Sequence, residues 1–433
     1  MSAQHVLAHK DGEQAAAPRS VLRNRDFLLL LAGQTVGELG ARVSGVAVPL
    51  LAVQALGASV FEVSLLTFLT WLPYLVFALP AGVMADRYEL RKLMITCDLV
   101  RMVLMLSLPV AAATGHLGLG YLYAVVGICG VCTVLFNVAY KSVLPRIAAP
   151  QQLVDANAKL VMGQDAAELI GPTVSGVLIG LVGAARTFLT NGLAFLVSAL
   201  TLWLIRIPQG PRQRADSGNV LEGRVPVRTE MTEGLAFIRT RPILLAILAC
   251  TTTSNFFVVA KSAIEVNFLV HDLHATSVQV GLVFSVSAVG GLIVGAGAAR
   301  LSARIGSARV IWAAMTLPGP LYLLMPLAGP GWGLALYGLG LAAFSANVGL
   351  YNIASGSYQQ HITPDGLQGR VNAAFMWICL GVLPLGALTG GLLGSWLGLR
   401  PALWICVLGA WSAAVFVLLS PLRTMRDMPA ERT

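Results

Sequence analysis

The segment that decides the fold reads Gly82-Val83-Met84-Ala85-Asp86-Arg87-Tyr88-Glu89-Leu90-Arg91-Lys92, a charged turn between two long apolar stretches. Gly82 permits close contact between helices, and Asp86 is a lone acid at the end of the first apolar stretch. Three basic residues follow at fixed intervals, Arg87, Arg91 and Lys92. In the plain interpretation, such a turn is a positively charged anchor at the cytoplasmic surface of a membrane. The spacing of its charges indicates a more specific role.

The chain around this turn has the composition of a membrane protein. Hydrophobic residues make up 56% of it and charged residues 11%, whereas a soluble domain averages about 45–50% apolar and about 25% charged residues. A helix needs about 20 apolar residues to cross a bilayer, so the sequence predicts an all-α membrane protein with twelve transmembrane helices. The predicted spans are 27–54, 61–85, 92–113, 119–144, 153–182, 185–206, 242–270, 278–300, 309–328, 333–359, 370–397 and 401–421.

The second half of the chain repeats the first. The segment 23–29 returns at 239–245, and the segment 169–176 returns at 384–391. Two related bundles in a bilayer are typical of transporters that work by alternating access, with the substrate site at the repeat interface. The predicted organisation is a tail (1–26), a first six-helix bundle (27–206), a linker (207–240), a second six-helix bundle (241–421) and a second tail (422–433).

The basic residues are placed on one side of the predicted membrane. The net charge of +9 would also fit a nucleic-acid partner, but the arginines and lysines lie between hydrophobic spans, as they do in cytoplasmic membrane loops. This placement predicts a multi-pass protein of a bacterial inner or plasma membrane, with both termini cytoplasmic and no nucleic-acid partner. The linker is expected to contact anionic lipid headgroups.

With these spans in place, the turn at 82–92 resembles the signature loop of the major facilitator superfamily, G-x-x-x-D-R-x-x-x-R-K, between helices two and three. The twelve spans, the linker and the repeat extend this resemblance over essentially the whole chain. In the superfamily, the signature acid contacts helix 11 when the cytoplasmic side is shut. The resemblance therefore implies a conformational latch, formed by Gly82, Asp86, Arg87, Arg91 and Lys92 with Arg370 at the start of the eleventh span. Asp98 and Arg101 of the third span are expected to brace this loop.

The fifth span resembles a second motif of the superfamily, the glycine-rich antiporter motif G-x8-G-x3-G-P-x2-G-G. Gly171-Pro172 and Gly176 match it, while alanine, alanine and serine replace three of its other glycines. Pro172 cannot donate a hydrogen bond to the carbonyl of Glu168, so the sequence predicts a kink there.

Three further segments, 144–158, 233–239 and 366–371, resemble one group of exporters in the superfamily, which contains macrolide-efflux proteins and the enterobactin exporter. The resemblance implies export of a bulky amphipathic compound, drug-like, macrolide-like or siderophore-like, driven by proton entry. Uptake of a small organic solute by proton symport is the alternative on the same fold. A membrane scaffold or receptor without transport is the third interpretation, and buried acids within the spans disfavour it.

Ionisable and polar residues inside the spans are functional candidates, because each is costly in a bilayer without a partner. Glu168, Glu38 and Asp165 are the predicted proton-coupling acids, since burial favours the neutral form of a carboxyl. The predicted substrate cavity is lined by Arg42, Asn137, Lys141, Asn255, Lys261, Glu265, Asn347 and Asn352. The alternative is mutual neutralisation at i,i+4 spacing, of Glu38 with Arg42 and of Lys261 with Glu265.

The sequence leaves the charge of the substrate open. Arg42, Lys141 and Lys159 suit an anionic siderophore, whereas Glu38 and Glu168 suit a cationic macrolide. No nucleophile–base pair, phosphate-binding loop or metal-ligand cluster is present in the sequence, so we expect neither an enzyme nor a cofactor or metal. The expected partners are the small amphipathic substrate, protons and membrane lipids, and the protein is expected to be a monomer.

Overall fold

The structure, a computed structural model, describes residues 21–206, 227–364 and 366–427. Within these ranges it describes all side chains except those of 78–87, 227–231, 295–296, 298–299, 301–303, 307 and 361. The described part of the chain contains twelve helical segments that are long and apolar enough to cross a membrane. All regular structure in these ranges is helical. The predicted all-α membrane class with twelve spans is therefore confirmed.

The first half contains six continuous helices: α1 (Arg25–Leu56), α2 (Val60–Arg87), α3 (Leu90–Ala113), α4 (Leu119–Ile147), α5 (Leu153–Val182) and α6 (Ala184–Leu204). The ends of α1 show why the chain starts and stops a helix where it does. The Asn24 side chain accepts hydrogen bonds from the backbone N–H groups of Asp26 and Phe27, which otherwise have no partner in the first turn. Gly57 ends α1 with φ of 61°, a left-handed conformation that favours glycine.

The second half begins with α7 (Val227–Thr240) and continues with six spans, three of which are interrupted. The spans are α8 (Pro242–Asn267), α9 (Ser277–Ile305), the group α10 (Ser307–Thr316), α11 (Gly319–Tyr322) and α12 (Leu324–Leu327), then α13 (Gly333–Ile362), the pair α14 (Gln368–Gly381) and α15 (Leu383–Leu397), and the pair α16 (Leu399–Ser412) and α17 (Ala414–Leu418). Prolines lie at two of these interruptions, because proline lacks the N–H that continues a helix. By contrast, α5 continues as one α-helix through Pro172.

The packing of the helices follows the sequence repeat. In the first half α1 packs on α5 and α6, and in the second half α8 packs on α15 and α16. Between the halves, α5 packs on α9 and α2 packs on α15, two contacts that a pseudo-two-fold axis exchanges. We call the face on which α1 begins the termini face, since the amide of Arg206 bonds to Asp26 there. The other end of the helices is the opposite face.

The halves meet closely near the opposite face. Gln54 donates to the Ser277 hydroxyl at 3.2 Å, and the Thr173 hydroxyl donates to Ser285 at 2.8 Å. At the α5–α9 crossing, a Cβ on Gly281 would collide with the carbonyl oxygen of Pro172 and the backbone of Gly176. Close backbone approach at small residues is typical of packed membrane helices. The opposite face is therefore closed in this structure.

We predict that Gly281→Ala destabilises the protein, because neither backbone at this crossing can give way to a methyl group. Overpacking of this kind costs about 1–3 kcal/mol, so the melting temperature of the purified protein in detergent should fall. Gly297→Ala is the matched control, since Gly297 lies on the same helix and a Cβ there meets no described atom within 4 Å. Equal melting temperatures for the two variants would contradict this account of the crossing.

The helix α7 lies in the segment that the sequence assigned to the linker, of which 207–226 are outside the described residues. It packs on α14, where Gly234 lies against the backbone carbonyl of Arg370. Glu233 forms an ion pair with the Arg370 guanidinium. The linker therefore ends in a helix attached to the second half.

Candidate functional site

A polar pocket lies inside the first half, among α1, α2, α3, α4 and α6. Its volume is about 240 Å³. Glu38 is about 20 Å along α1 from the first residue of that helix, at a rise of about 1.5 Å per residue, so the pocket lies near mid-membrane. The lining residues are Gln34, Gly37, Glu38, Ala41, Arg42, Tyr74, Asp98, Arg101, Thr133, Phe136, Asn137, Phe195 and Ser198.

An apolar pocket of about 380 Å³ adjoins it on the side of the opposite face. Five residues line both volumes, namely Ala41, Tyr74, Arg101, Thr133 and Phe195. The remaining walls of the apolar pocket are mainly hydrophobic, and α8 and α9 of the second half contribute Ser262, Val266 and Phe284. Together the two pockets form a cavity with a charged end and an apolar end, which suits a molecule that has both.

Arg42 pairs with Glu168 of α5, at 3.5 Å between Nη2 and Oε2. The alternative that paired Arg42 with Glu38 is therefore wrong. The reason is the close crossing of α1 and α5: Gly171 lies against the side-chain stem of Arg42 and leaves room for that side chain to reach across. Both ends of the pair are about half exposed, at 41% and 50%. Arg42 lines the polar pocket, and Glu168 holds its guanidinium from beside that pocket.

Glu38 has no cationic partner in the part of the chain that the structure describes. Its Oε1 accepts a hydrogen bond from the Gln34 side-chain amide at 3.2 Å. Its carboxylate therefore lines the polar pocket beside Arg42 and Arg101 without a full ion pair to either. An acid in this position is available to a proton or to a cationic ligand.

Asp98 and Arg101 form a second ion pair, one turn apart on α3. Asp98 is fully buried and Arg101 is 7% exposed, and the Arg101 guanidinium lies between the rings of Phe136 and Phe195, at 4.7 and 4.5 Å from their centroids. The prediction that these two residues brace the signature loop is therefore wrong. The face of α3 that carries them points into the bundle, towards α4 and α6, and both residues line the polar pocket.

The predicted cavity residues of the second half do not line either of these two pockets. Lys261 and Glu265 form a buried ion pair at 2.7 Å, which corresponds to the alternative of mutual neutralisation, and they line neither pocket. Asn255 donates to the carbonyl of Cys379. Asn347 is buried and Asn352 is exposed.

The remaining predicted residues of the first half lie apart as well, with one exception. Asn137 lines the polar pocket and donates to the Tyr74 hydroxyl at 3.1 Å. Lys141 is exposed and Asp165 is partly buried, and neither lines the cavity. Lys159 pairs with Asp155 at 3.7 Å.

The structure places the described latch residues in contacts within their own halves. Arg91 donates to the carbonyls of Leu202 and Trp203 at the end of α6, and Lys92 pairs with Glu89 at 3.1 Å. The guanidinium of Arg370, which the resemblance assigned to the signature acid, pairs instead with Glu233 of α7. The side chains of Gly82, Asp86 and Arg87 lie outside the described residues, so the latch stays a prediction.

Several cavity residues carry no signal in the sequence. Tyr74, Trp71 and Phe195 sit in apolar spans where an aromatic residue facing the cavity looks like one facing lipid. Ser198 is a small polar residue on α6, a span whose one ionisable residue, Arg186, lies in its first turn. A helical projection of the polar residues of α2, α3 and α6 would have grouped Thr70, Ser198 and Arg101 as inward-facing candidates.

The sequence profile of the Major Facilitator Superfamily matches residues 30–384, which run from the second turn of α1 to the start of α15. The chain belongs to this superfamily. Its fold and the predicted membership are thereby confirmed, and it is a transporter of the superfamily type with efflux-type relatives.

Three similar proteins illustrate the relationship. The uncharacterised MFS-type transporter YfiS of Bacillus subtilis is 27% identical over 402 residues, covering 90% of this chain and 91% of YfiS. Macrolide efflux protein A of Streptococcus pyogenes is 22% identical over 411 residues, covering 93% and 97%. A bacterial homologue of the human lysosomal transporter Spinster, crystallised in an inward-facing, unoccupied conformation, superposes with a TM-score of 0.73 at 15% identity, covering 96% and 100%. The last of these supports the fold alone.

Proposed function

We propose that this superfamily member is a secondary active exporter that expels bulky cationic amphipathic compounds in exchange for protons. The observation that carries the proposal is Glu38, an acid that pairs with no described lysine or arginine and lies at the charged end of a largely apolar cavity. A cationic head would lie against its carboxylate, and the apolar body would fill the adjoining pocket of about 380 Å³. Ligand sites of this kind combine apolar walls with a few placed polar groups.

The charges of the cavity support a cationic rather than an anionic substrate. Glu38 and Asp98 line the polar pocket with Arg42 and Arg101, and Glu168 pairs with Arg42 beside it. These three acids stand against the two arginines, so the ionised group carries one excess negative charge. The bases that would suit an anionic siderophore are engaged or remote, since Arg42 pairs with Glu168 and Lys159 with Asp155. The similarity to macrolide efflux protein A supports the same choice.

Proton coupling follows from competition at the acids. A carboxyl near mid-membrane that binds a proton cannot at the same time hold a cationic head, so entry of the proton favours release of the substrate. We assign this competition to Glu38 first. Glu168 and Asp165 are further candidates for carrying the proton, Glu168 because its carboxylate holds Arg42 beside the same pocket.

The membrane orientation and the transport cycle complete the proposal. The termini face is cytoplasmic, on the ground that the arginine- and lysine-rich connections lie there. In this structure the opposite face is closed by the α5–α9 and α2–α15 contacts. The cavity is then loaded from the cytoplasm and emptied outwards when these two symmetry-related contacts separate.

The test uses inverted membrane vesicles that contain the protein, acidified in the lumen, with the permanent cation tetraphenylphosphonium outside. We expect the cation to accumulate in the lumen, and collapse of the pH gradient with nigericin to abolish accumulation. Vesicles without the protein are the control. In vesicles preloaded with the cation, an importing symporter would instead carry it out of the lumen, and a membrane scaffold would show no gradient-dependent movement in either direction.

A further inference from the structure

We propose that Asp98 is a second proton site, an inference that rests on the proposed proton-coupled export. Through its ion pair with Arg101, the binding of a proton and the binding of a cationic substrate become mutually exclusive. Asp98 is not among the three acids to which the coupling proton was assigned above, namely Glu38, Glu168 and Asp165. The pair lies on α3, a helix that the sequence assigned to bracing the signature loop, and it lines the polar pocket together with Glu38.

The surroundings of Asp98 suit a site that takes up and releases one proton. The residue is fully buried, and desolvation disfavours a charged carboxylate unless a partner compensates it. One oxygen, Oδ1, bonds to Arg101. The other, Oδ2, is buried without a hydrogen-bond partner in the described part of the chain. The Ser198 hydroxyl of α6 faces the same carboxyl. Oδ2 is therefore the oxygen that can accept a proton while Oδ1 keeps its contact with Arg101.

Arg101 transmits the state of Asp98 to both pockets, because it lines the polar pocket and the apolar pocket alike. The rings of Phe136 and Phe195 hold its guanidinium between them, so it stays in place when Asp98 becomes neutral. Its positive charge is then no longer compensated and repels a cation in the adjoining space, where a low dielectric strengthens the interaction.

The charge count gives the direction of the coupling. With Asp98 ionised, the three acids outnumber the two arginines and the site attracts a cation. With Asp98 protonated, two charged acids stand against two arginines and the attraction is lost. The proton comes from water, binds at Oδ2 and returns to water, and no covalent bond between heavy atoms changes.

Titratable and charged groups from every neighbouring helix face this pair, and they enter any pH profile. The titration of Glu38 is the one that an experiment must distinguish from that of Asp98, since Glu38 lines the same pocket. The groups are Cys97 on α3, Glu38 and Arg42 on α1, Tyr74 on α2, Cys129 and Cys132 on α4, and the hydroxyl of Ser198 on α6.

The first experiment measures the affinity for tetraphenylphosphonium and the protons released per bound cation, with purified protein at several pH values. Asp98→Asn mimics the protonated state, so we expect its affinity to fall about tenfold, within the usual range of coupling between two sites, and its proton release to fall by about one. The double variant Asp98→Asn, Arg101→Gln removes the uncompensated charge and should recover affinity without recovering the lost proton. Asp98→Glu should restore both.

The matched control is Asp155→Asn, which neutralises an exposed ion pair on α5 and should change neither quantity. Unchanged affinity and unchanged proton release in Asp98→Asn would overturn the inference. Cation export by that variant at the wild-type rate would overturn it as well, while leaving the proposed function intact. Failure of the wild-type protein in the vesicle assay would instead overturn the proposed function.

If Asp98→Asn does not fold, the wild-type protein supplies the second test. Dicyclohexylcarbodiimide modifies protonated carboxyl groups in apolar surroundings, and mass spectrometry of peptides locates the label. We expect labelling of Asp98 that increases at lower pH and decreases when tetraphenylphosphonium is bound. Labelling of Glu38 with none at Asp98 would overturn the inference.

Discussion

Glu38→Gln is expected to abolish proton-driven accumulation of tetraphenylphosphonium and to lower its affinity about tenfold or more. Glutamine keeps the size of the side chain and its contact with Gln34, but it removes the negative charge that no described lysine or arginine compensates. Tetraphenylphosphonium has no hydrogen-bond donor, so its contact with the carboxylate is coulombic. Two unit charges about 6 Å apart at an effective dielectric constant of about 20 attract by about 2.8 kcal/mol, which sets an upper limit of about a hundredfold on the loss of affinity. The inverted-vesicle assay and equilibrium binding of the cation measure the two effects.

Glu62→Gln is the matched control for this change. Glu62 lies near the start of α2 at the opposite face, where its carboxylate accepts hydrogen bonds from Ser59, and glutamine can still accept them. Its transport should equal that of the wild-type protein. Accumulation of tetraphenylphosphonium by Glu38→Gln at the wild-type level would show that Glu38 neither holds the cation nor exchanges the proton.

The same assay distinguishes the role of Glu38 from that of Glu168. Glu168→Gln leaves the Arg42 guanidinium uncompensated beside the pocket, so we expect weaker cation binding in this variant. If Glu168 only balances Arg42, the double variant Arg42→Gln, Glu168→Gln should regain both binding and export. If Glu168 carries the coupling proton, the double variant should regain binding and remain unable to concentrate the cation.

Much of the fold follows from the sequence, because a bilayer demands a minimum apolar length for each helix. The predicted fifth span, 153–182, coincides with α5, Leu153–Val182. The interruptions of the second half were not predicted: the eleventh span is divided between α14 and α15 beside Pro384, whereas α5 passes through Pro172 unbroken. Whether a proline ends a helix depends on the neighbours that satisfy the freed carbonyl, and these are absent from the local sequence.

The sequence predicts part of the candidate site. The sequence identifies Glu38, Arg42 and Glu168 as costly residues inside spans, but spacing along one helix favoured the Glu38–Arg42 pair. The pair that forms joins Arg42 to Glu168 across two helices, because Gly171 permits α5 to approach the stem of Arg42. Such a contact depends on the crossing of α1 and α5, and sequence spacing within α1 carries no information about it.

Asp98 shows why the remainder could not be predicted. Its position near the start of the third span suggested the membrane surface and the signature loop. Its environment is set instead by the face of α3 that turns towards α4 and α6, where Phe136 and Phe195 enclose Arg101. Aromatic residues in a membrane span face lipid or protein with equal ease, so the enclosure becomes visible only when three helices are assembled.

Glu265→Gln is expected to destabilise the protein by about 3–5 kcal/mol, the usual effect of removing one partner of a buried ion pair. Lys261 and Glu265 are each 4% exposed, and their charged atoms lie 2.7 Å apart. The second oxygen of Glu265 accepts a hydrogen bond from the buried Tyr337 hydroxyl, which glutamine can retain. The loss therefore reports the charge left on Lys261, and the melting temperature in detergent measures it.

The i,i+4 pair Asp155–Lys159 is the matched control for burial. Its side chains are 50% and 30% exposed, and an exposed pair contributes about 0–1 kcal/mol, so Asp155→Asn should barely change the melting temperature. Equal effects of Glu265→Gln and Asp155→Asn would contradict the burial of the pair on α8.

The double variant Lys261→Met, Glu265→Gln decides whether this pair only stabilises the fold or also belongs to the substrate cavity. Removing both charges leaves no uncompensated ion, so most of the lost stability should return. Because neither residue lines the two pockets, export of tetraphenylphosphonium by the double variant should match that of the wild-type protein. A double variant that folds with wild-type stability but no longer exports the cation would show that Lys261 and Glu265 belong to the substrate cavity, as the sequence predicted. The pair would then face the substrate in a conformation with the opposite face open, since it is enclosed when that face is shut.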